Sequence, residues 1–560
     1  MSNGFFKQHK SVLEDAVAAI ETRGHYSAYP EVPSGKIYGE NAKQEGLDTF
    51  EGYKDSSFSL EQNSNGSTVG EELSPYGFSI GTQYPKVDID LLIQHIQLAC
   101  PSWRKASIEM RVGCALEIVH RLNKRSFEMA FAVMHTTGQG FMMAFQAGGP
   151  HAQDRGLEAI AYAYKAMKDC PSNVTWKKQV GRDEFVTLDK TFTIVPRGIG
   201  LVIGCSTFPT WNTYPGLFAS LVTGNAVIVK PHPGAILPLA ITVSVCQDVL
   251  KEAGFNPNLV TLIADTPQEP RTKELVEHPD IQIIDYTGSS TFGNWVEEHA
   301  GNAVVYTEKA GVNSIIIDSV EHMKAVSGNL GFSLCLYSGQ MCTTPQNIFI
   351  PKDGIATADG HMSFDEVSSA IVNAVDWLLG DQGRANEVLG AIQNQATADR
   401  VDQVSGEILR EGNSIEHALF PEARTRSVKI IKTDASQRET FEQEMFGPIV
   451  FIVATDSTDQ SIELASSIAT EQGAISCGLY STNEEVIEKT VETMSQAGVP
   501  VSCNLVGNIW VNQSAAFSDF HVSGANPSGN ATLSDAAFVV GRFNVVQCRT
   551  FVPEPQKVEA

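Results

Sequence analysis

From about residue 190 onward, short and continuously apolar runs alternate with segments of helix length. A first series of these runs consists of GLVIG (200–204), AVIVK (226–230), LVTLI (259–263), IQIIDY (281–286) and AVVY (303–306). Strands that are apolar on both faces and separated by helices are typical of a parallel sheet with helices on both sides. The alternation therefore predicts an α/β fold with a doubly wound sheet.

A second series of apolar runs predicts a second α/β domain. It consists of NSIII (313–317), NIFI (347–350), PIVFIV (448–453), ISCGLY (475–480) and NIWV (508–511). Because a chain of 560 residues exceeds one ordinary core, two or three domains are expected. Residues 174–195 and 543–552 read as strands that pair outside both domains. Residues 1–85 precede the helical pattern and are interpreted as an N-terminal extension.

Charge and cysteine usage exclude several classes of function. The net charge of −25 argues against a nucleic-acid or anionic-membrane partner, because little basic surface is available to offset phosphate charge. No apolar run approaches the roughly 20 residues of a spanning helix, and the N-terminus shows no secretory h-region. The ten cysteines are scattered, without a CxxC pair or a Cys/His cluster at zinc spacing. This usage predicts a cytoplasmic protein with reduced thiols and no metal site.

One glycine-rich stretch is a candidate for binding a phosphate group. YTGSSTFG (286–293) follows a predicted strand and leads into a helix-like segment. Gly288, Ser289 and Gly293 would then lie where a helix N-terminus presents free N–H groups to an anion. The GxGxxG fingerprint is absent, so the stretch is equally consistent with an ordinary glycine turn.

Glu308 and Cys342 are candidates for catalysis. Glu308, in VVYTEKAG, ends the first series at the carboxyl end of a strand, where a general base would be well placed. Cys342, in LYSGQMCTTPQ, lies among small and polar residues that leave space for a substrate beside a nucleophilic thiol. Taken singly, a solvated carboxylate and an inert structural thiol are the more common interpretations.

Taken together and in order, these stretches resemble the aldehyde dehydrogenase superfamily. That family has a TGS turn, a glutamate before a small-residue turn, a GQxC nucleophile and an E-x-F-G-P segment. The last two correspond here to GQMC (339–342) and EMFGP (444–448). LVTGNAVIVKP (221–231) is similar to the family's stretch with the cofactor-binding lysine. The resemblance covers roughly residues 86–550 and implies a Rossmann-like cofactor domain, an α/β catalytic domain and an oligomerisation strand arm.

The resemblance also implies a mechanism and a set of site residues. Cys342 would attack the carbon of a small-molecule aldehyde, hydride would pass to the nicotinamide of NADP or NAD, and Glu308 would activate water to hydrolyse the resulting thioester. The implied catalytic residues are Cys342, Glu308 and Thr207, and the implied cofactor-binding residues are Lys230, Thr287, Gly288, Ser289, Gly293, Glu444 and Phe446.

Three departures from the family pattern bear on these roles. Thr207 occupies the place of the asparagine that stabilises the oxyanion, with the N–H of Cys342 as a second donor. Pro233, three residues after Lys230, replaces a carboxylate that many members carry, which favours NADP. Ala310 replaces one glycine after Glu308.

The whole chain is most similar to the phenylacetic-acid-degradation, or PaaN-type, branch of the superfamily. That resemblance implies a semialdehyde of aromatic-ring catabolism, carried as a coenzyme A thioester. Two alternatives remain: an acylating dehydrogenase that uses coenzyme A, against which Glu308 argues, and a catalytically idle relative that serves in assembly. Residues 210–212 and 517–521 are candidate walls of an aldehyde tunnel, although core packing explains their aromatic residues equally well.

The predicted domain organisation follows from the two series and the resemblance. Its parts are an N-terminal extension (1–85), an NAD(P)-binding domain (86–173 and 196–308), an oligomerisation arm (174–195 and 541–560) and a catalytic domain (309–540). Exposed strand edges in the arm invite pairing with another copy, so a homo-oligomer, dimeric or larger, is expected.

Overall fold

The computed structural model describes residues 2–533 and 535–553 and confirms the predicted α/β fold. Two sheets with predominantly parallel pairing, of five and seven strands, form the framework. Met1, Ser534 and residues 554–560 of the predicted arm lie outside the described residues.

The five-stranded sheet is parallel throughout. In spatial order its strands are Val304–Lys309, Ile281–Gly288, Ile199–Ile203, Ala226–Lys230 and Val260–Leu262. The first strand in the chain lies at the centre, so the connections run outward in opposite directions on its two sides. Such a reversal leaves a crevice at the carboxyl ends of the strands, where ligands bind in doubly wound sheets.

Helices surround the first sheet, which explains why its strands are apolar on both faces. Every residue of Ala226–Lys230 is buried, the final lysine included. The helices between residues 89 and 299 are Ile89–Lys105, Ile108–Lys124, Ser126–Thr137, Phe141–Gly148, Pro150–Lys168, Pro209–Val222, Leu237–Glu252, Thr272–Val276 and Ser290–His299, with a 3-10 turn at Pro257–Leu259.

The seven-stranded sheet is parallel except at one edge, where Glu407–Arg410 pairs antiparallel with its neighbour. In spatial order its strands are Glu407–Arg410, Lys429–Asp434, Ile449–Thr455, Pro345–Pro351, Asn313–Ile317, Cys477–Tyr480 and Val501–Cys503. Its helices and the later ones are Met323–Cys335, Phe364–Leu379, Gln382–Val388, Gln395–Gln403, Thr458–Gln472, Glu484–Gln496 and Ala536–Val540, with 3-10 turns at Leu336–Gly339 and Ala435–Thr440. A small separate sheet consists of Ser319–Val320, Ile355–Thr357 and Gly360–Met362.

The strand predicted at NIWV (508–511) is wrong. These residues form a loop, and the edge strand of the second sheet is Val501–Cys503, which pairs with the strand Cys477–Tyr480. The side-chain amide of Asn329 donates to the carbonyl oxygen of Ile509 at 2.7 Å, and Ile509 is 54% exposed. The Asn329 side chain thus supplies the hydrogen bond that the carbonyl oxygen of Ile509 would receive from an adjacent strand in a sheet.

The N-terminal extension packs against the first domain. Its elements are the helices Ser2–Gln8, Lys10–Thr22, Gly35–Tyr38 and Ala42–Tyr53 and the short strand pairs Thr68–Val69 with Tyr84–Pro85 and Leu73–Ser74 with Phe78–Ser79. Leu13, Phe50 and Tyr84 join the same apolar core as the five-stranded sheet. The Glu72 carboxylate accepts the N–H groups of Ile236 and Leu237 at 2.6 and 3.0 Å. The extension therefore supplies a carboxylate to the first turn of the helix Leu237–Glu252, where the helix dipole favours negative charge.

The predicted arm strands form one three-stranded antiparallel sheet. Asn173–Gln179 pairs with Phe185–Pro196, which pairs on its other side with Phe543–Val552. Arg542 is fully buried at the base of this sheet and forms a bidentate ion pair with Asp285 of the first sheet. Fork-to-carboxylate geometry of this kind fixes direction as well as distance, so the arm is firmly joined to the first sheet.

Among the described residues, none of the helices combines the length and apolarity that crossing a membrane requires.

Candidate active site

A cavity of about 500 Å³ opens at the carboxyl ends of the five-stranded sheet. It lies where the strand order reverses, between the ends of Ile199–Ile203 and Ile281–Gly288. Residues that follow the five-stranded sheet in the chain close its other side. The sequence-predicted residues that line it are Cys342, Glu308, Thr207, Lys230, Thr287, Gly288, Ser289, Glu444 and Phe446.

Gly293 is the predicted site residue that does not line this cavity. It lies within the helix Ser290–His299, and a Cβ at this position would come within 2.6 Å of Lys309 and 2.9 Å of Tyr286. Its place in the structure is therefore a close contact between the helix and the two neighbouring strands.

The chain reaches Cys342 through a left-handed bend after the helix Met323–Cys335. Tyr337, Ser338 and Gly339 have φ angles of 53°, 50° and 66°. Left-handed backbone costs roughly 1–2 kcal/mol for each non-glycine residue, so the bend needs support from outside. The hydroxyl groups of Tyr337 and Ser338 donate to main-chain carbonyl oxygens of other segments at 2.6 and 2.9 Å. The thiol is thus presented by an anchored segment.

The glycine of GQMC has a specific packing role. A Cβ at Gly339 would lie 2.5 Å from the carbonyl oxygen of Gly447, a distance that side chains do not tolerate. The GQMC and EMFGP segments therefore touch through their backbones. This contact explains physically why the two segments, about a hundred residues apart in the sequence, share one site.

Glu308 is buried beside the thiol. Cys342 is partly exposed, whereas Glu308 is only 1% exposed. The Cys342 sulfur, a carboxylate oxygen of Glu308 and a ring nitrogen of His521 lie within 4.8 Å of one another. The Glu308 carboxylate accepts a hydrogen bond from Asn212 Nδ2 at 2.8 Å and contacts His521 Nε2 at 2.9 Å.

The environment of Cys342 opposes ionisation of its thiol. Burial, followed by the charge of the nearby Glu308 carboxylate, raises the pKa of Cys342 well above its ordinary value. The resting thiol is therefore protonated near neutral pH. A cysteine nucleophile reacts as its thiolate, so catalysis by this thiol would require a proton acceptor and a donor that favours the anion.

Thr207 lines the cavity at the turn after the first strand. Its carbonyl oxygen accepts from the side chain of Gln139 at 2.7 Å, and its hydroxyl lies beside the sulfur of Cys205. The Cys205 sulfur also lies 3.4 Å from Asn212 Oδ1. Burial raises the pKa of Cys205 to about 11, so this second thiol stays neutral.

The cavity offers two features that suit a dinucleotide. Ser289 precedes the ten-residue helix Ser290–His299, whose N-terminus faces the cavity and favours a phosphate group. Lys230 ends the strand Ala226–Lys230, and its ammonium group forms a buried ion pair with Asp265 at 2.7 Å. A helix terminus and a cation at the carboxyl edge of a doubly wound sheet match the chemistry of NAD(P).

Glu444 and Phe446 line the second-domain side of the cavity. Burial raises the pKa of Glu444 to about 7, opposed by the charge of Arg400. The guanidinium of Arg400 donates to the carbonyl oxygen of Phe446 at 2.6 Å and so holds this segment in place.

Sequence reasoning did not assign roles to His521, Asn212 or Asp265. His521 and Asn212 belong to segments that were considered only as tunnel walls, and nothing in their local sequence marks them as partners of Glu308. The triad of Cys342, Glu308 and His521 also carries atom types that bind zinc. The 2.9 Å contact of His521 with Glu308 has the length of an ordinary hydrogen bond, which accounts for their approach without an ion.

Comparisons with known proteins agree with this geometry. The model of the "Aldehyde dehydrogenase family" matches residues 79–538. A solved structure described as an NAD-dependent aldehyde dehydrogenase from Burkholderia multivorans is 53% identical, with a TM-score of 0.96 over 98% of this chain and 99% of that one.

More distant relatives extend the same match. A 1-pyrroline-5-carboxylate dehydrogenase from Bacillus mycoides is 22% identical over 77% of this chain and 78% of its own length. An N-succinylglutamate 5-semialdehyde dehydrogenase from Paraburkholderia xenovorans is 25% identical over 71% and 77%, respectively. With a thiol beside a buried carboxylate at the edge of a doubly wound sheet, these matches show that the chain is an enzyme of the aldehyde dehydrogenase family.

Proposed function

We propose that this enzyme oxidises an aldehyde to the free carboxylic acid, with Cys342 as the nucleophile and Glu308 as the general base. The observation that carries the proposal is the position of the Glu308 carboxylate. It lies within 4.8 Å of the Cys342 sulfur and is held by the side chains of Asn212 and His521. A fixed carboxylate beside the reacting sulfur is suited to activating water.

The chemistry proceeds on the sulfur. The Cys342 thiolate bonds to the aldehyde carbon to form a thiohemiacetal. A bound nicotinamide would accept hydride from that carbon, which leaves a thioester on Cys342. Glu308 then takes a proton from water as the water oxygen attacks the thioester, and the Sγ–C bond breaks to release the acid. The main-chain N–H of Cys342 and the hydroxyl of Thr207 are the proposed donors to the oxyanion.

The support for Glu308 also weighs against the two alternatives. An acylating dehydrogenase transfers the acyl group to coenzyme A and has no need of a water-activating base. An idle assembly protein has no need of either group. The chain keeps both the thiol and the carboxylate, and their side chains meet in one cavity.

For the substrate, we propose a semialdehyde of aromatic-ring catabolism carried as a coenzyme A thioester. The resemblance to the PaaN-type branch supports this class. A curated relative named for a semialdehyde, N-succinylglutamate 5-semialdehyde, is consistent with it.

A panel of aldehydes with purified protein tests the reaction type. We expect reduced nicotinamide to form continuously with a short semialdehyde, at the same rate with or without coenzyme A, and the carboxylic acid to be the product by mass spectrometry. Turnover that requires coenzyme A and yields an acyl thioester would contradict the hydrolytic function. Chain-length dependence within the panel, extended to coenzyme A-linked semialdehydes, tests the substrate class.

The buried ion pair of Lys230 favours NAD as the cofactor. The sequence lacks the usual carboxylate three residues after Lys230, which by itself favoured NADP. In the structure Asp265, in the loop that follows the neighbouring strand Val260–Leu262, brings a carboxylate to 2.7 Å from the Lys230 ammonium. A 2′-phosphate near Lys230 would meet this negative charge, whereas ribose hydroxyls could bond to it. The Burkholderia multivorans relative, described as NAD-dependent, supports the same choice.

Asp265→Asn is expected to shift the cofactor preference toward NADP. Loss of the like charge should raise the ratio of kcat/KM for NADP to that for NAD by about tenfold or more. Calorimetric binding of each dinucleotide without aldehyde should show the same shift. The matched control is Asp456→Asn, which removes a carboxylate 2.7 Å from the exposed Lys352 and should leave the ratio unchanged. An unchanged ratio in Asp265→Asn, with normal thermal stability, would contradict the role of Asp265.

We also propose a division of labour between parts of the chain. Residues 86–173 and 196–308 would bind the cofactor and 309–540 would present the nucleophile. The arm (174–195 and 541–560) would join copies into a homo-oligomer in the cytoplasm. Exposed apolar residues on the arm, among them Val180, Val546 and Phe551, support the last role.

A further inference from the structure

Ionisation of the Cys342 thiol is electrostatically unfavourable, and neither Cys342 nor Glu308 has a side chain that would stabilise the thiolate. Its thiolate would form in a desolvated place, beside the negative Glu308 carboxylate. A thiolate in such a place needs a hydrogen-bond donor close to the sulfur. His521 is the side chain that reaches both groups.

A single ring nitrogen of His521 contacts the acid and the thiol. His521 Nε2 lies 2.9 Å from Glu308 Oε1 and 3.9 Å from Cys342 Sγ. The first distance is that of an ordinary N–H···O hydrogen bond, and the second is near the upper limit for a hydrogen bond to sulfur. Glu308 lies 34 residues before Cys342 in the sequence, and His521 lies 179 residues after it. The fold brings both side chains to the thiol, where one nitrogen of His521 contacts the other two groups.

The contact with Glu308 fixes where the hydrogen lies. A carboxylate has acceptors only, so Nε2 must carry a hydrogen to lie 2.9 Å from it favourably. A bare Nε2 lone pair would face the carboxylate lone pairs and be repelled. His521 is therefore a donor toward this side of the site, and it cannot accept the thiol proton on Nε2.

The ring is held in this direction by its surroundings. His521 is 3% exposed, and its carbonyl oxygen accepts from the Thr532 hydroxyl at 3.1 Å and from the N–H of Leu533 at 3.3 Å. Its ring lies edge-on to Trp211, with the ring centroids 4.6 Å apart. A fixed ring makes Nε2–H a permanent feature of the site.

The charges around His521 come from several elements. Glu308 and the thiols of Cys342 and Cys205 lie on the cavity side. The guanidinium of Arg155 lies 5.0 Å from the centre of the Trp211 indole ring. It also forms an ion pair with Glu158 at 2.8 Å. The carbonyl oxygen of Asp519 also accepts from Arg155 at 3.3 Å. The Arg155 guanidinium is thus engaged by acceptors of its own, whereas Nε2 of His521 lies 3.9 Å from the Cys342 sulfur.

We propose that His521 is a further catalytic residue, whose Nε2–H alternates between the Glu308 carboxylate and the Cys342 thiolate. This role rests on the proposed function and deepens it. In the resting state the hydrogen bond goes to Glu308 and orients the carboxylate. When the thiol ionises, the same N–H, within reach of the sulfur in this ring orientation, donates to it and stabilises the anion.

The proton transfer in this step is balanced between two atoms. The S–H bond of Cys342 breaks, and its proton passes to the Glu308 carboxylate, directly or through a water, to form an O–H bond. The Nε2–H bond of His521 stays intact throughout. The neutral Glu308 no longer attracts Nε2–H strongly, so the donor is released to the thiolate. Loss of the Glu308 proton to solvent restores the carboxylate that later activates water.

The test measures the reactivity of the thiol without aldehyde or cofactor. The full-length protein is alkylated with iodoacetamide from pH 6 to 10, and modification of Cys342 is followed by peptide mass spectrometry. His521→Phe keeps an aromatic ring beside Trp211 but removes the donor. We expect its rate at pH 7.5 to fall about tenfold to a hundredfold, the effect of losing a hydrogen bond to a charged group, and the midpoint of the pH profile to rise.

A second variant separates the donor from simple packing. His521→Gln retains an N–H donor and should recover a large part of the lost rate, with a midpoint near that of the wild type. If the phenylalanine ring is not accommodated and the protein unfolds, His521→Met supplies the same comparison. The matched control is His9→Phe, because His9 forms a similar buried bond with Glu117 at 2.6 Å outside the cavity, and its loss should not change the alkylation of Cys342.

The outcomes distinguish this inference from the function on which it rests. Equal rates and midpoints for wild type and His521→Phe, or equal losses in the phenylalanine and glutamine variants, would overturn the role of His521. Neither result would touch the assignment of Cys342. A wild-type Cys342 that resists alkylation across the whole pH range would instead overturn the proposed nucleophile.

Discussion

Cys342→Ala is expected to abolish aldehyde oxidation. In the proposed mechanism the sulfur forms the bond to substrate on which every later step depends, and alanine offers no group that can replace it. We expect kcat/KM to fall by at least about 10⁴-fold, as for nucleophiles of other covalent enzymes. Steady formation of reduced nicotinamide with the best aldehyde of the panel provides the measurement.

Two observations make this result specific to Cys342. Nucleotide binding, measured by calorimetry, should be retained, because the alanine removes only the sulfur. Cys170→Ala is the control for cysteine removal, since Cys170 lies two residues after the end of the helix Pro150–Lys168 and outside the cavity. Retention of more than about a tenth of the activity in Cys342→Ala would require a different nucleophile, and Cys205, which also lines the cavity, would be the first to examine.

The framework of the fold was predictable because its strands are apolar on both faces. The run at 226–230 became a strand with the predicted bounds, Ala226–Lys230. Prediction failed at the edges of the second sheet and at the strand next to one edge. Glu407–Arg410 and Lys429–Asp434 carry charged residues, and so lack the continuous apolar signal. NIWV has that apolar signal but forms a loop, in which the Asn329 side chain donates a hydrogen bond to the carbonyl oxygen of Ile509.

In the candidate site, too, some residues are marked by their local sequence and others are placed only by contacts between distant segments. Cys342 and Glu308 could be chosen as candidates because each lies in a recognisable stretch, and the structure places both in one cavity. His521 and Asp265 could not, because their roles arise only from contacts across the fold. Asp265 lies 35 residues after Lys230, and the two meet because their strands are parallel neighbours whose carboxyl ends share one edge. The Lys230–Asp265 ion pair depends on the order of the strands in the sheet, which cannot be read from the local sequence around either residue.

Glu308→Gln is expected to separate the two halves of the reaction. Glutamine keeps the shape of the side chain and can still accept the Asn212 N–H, but it cannot take a proton from water. Formation of the thioester should continue, because removal of the carboxylate charge also removes one cause of the raised Cys342 pKa, and the thiol proton can then pass to solvent in place of Glu308. Hydrolysis should slow by roughly 10²–10⁴-fold, the usual contribution of a general base.

The measurement is a burst experiment with a known concentration of active sites. We expect about one equivalent of reduced nicotinamide to form rapidly in Glu308→Gln, followed by a stall, with the acyl group found on the Cys342 peptide by mass spectrometry. Hydroxylamine should release the acyl group as the hydroxamate and restart turnover.

Glu117→Gln is the matched control, because Glu117 is also a buried carboxylate bonded to a histidine but lies outside the cavity. Its turnover should match that of the wild type. A Glu308→Gln protein that turns over at the wild-type rate would show that another group activates water. One without a burst would show that Glu308 is required before the thioester forms, as the acceptor of the Cys342 proton.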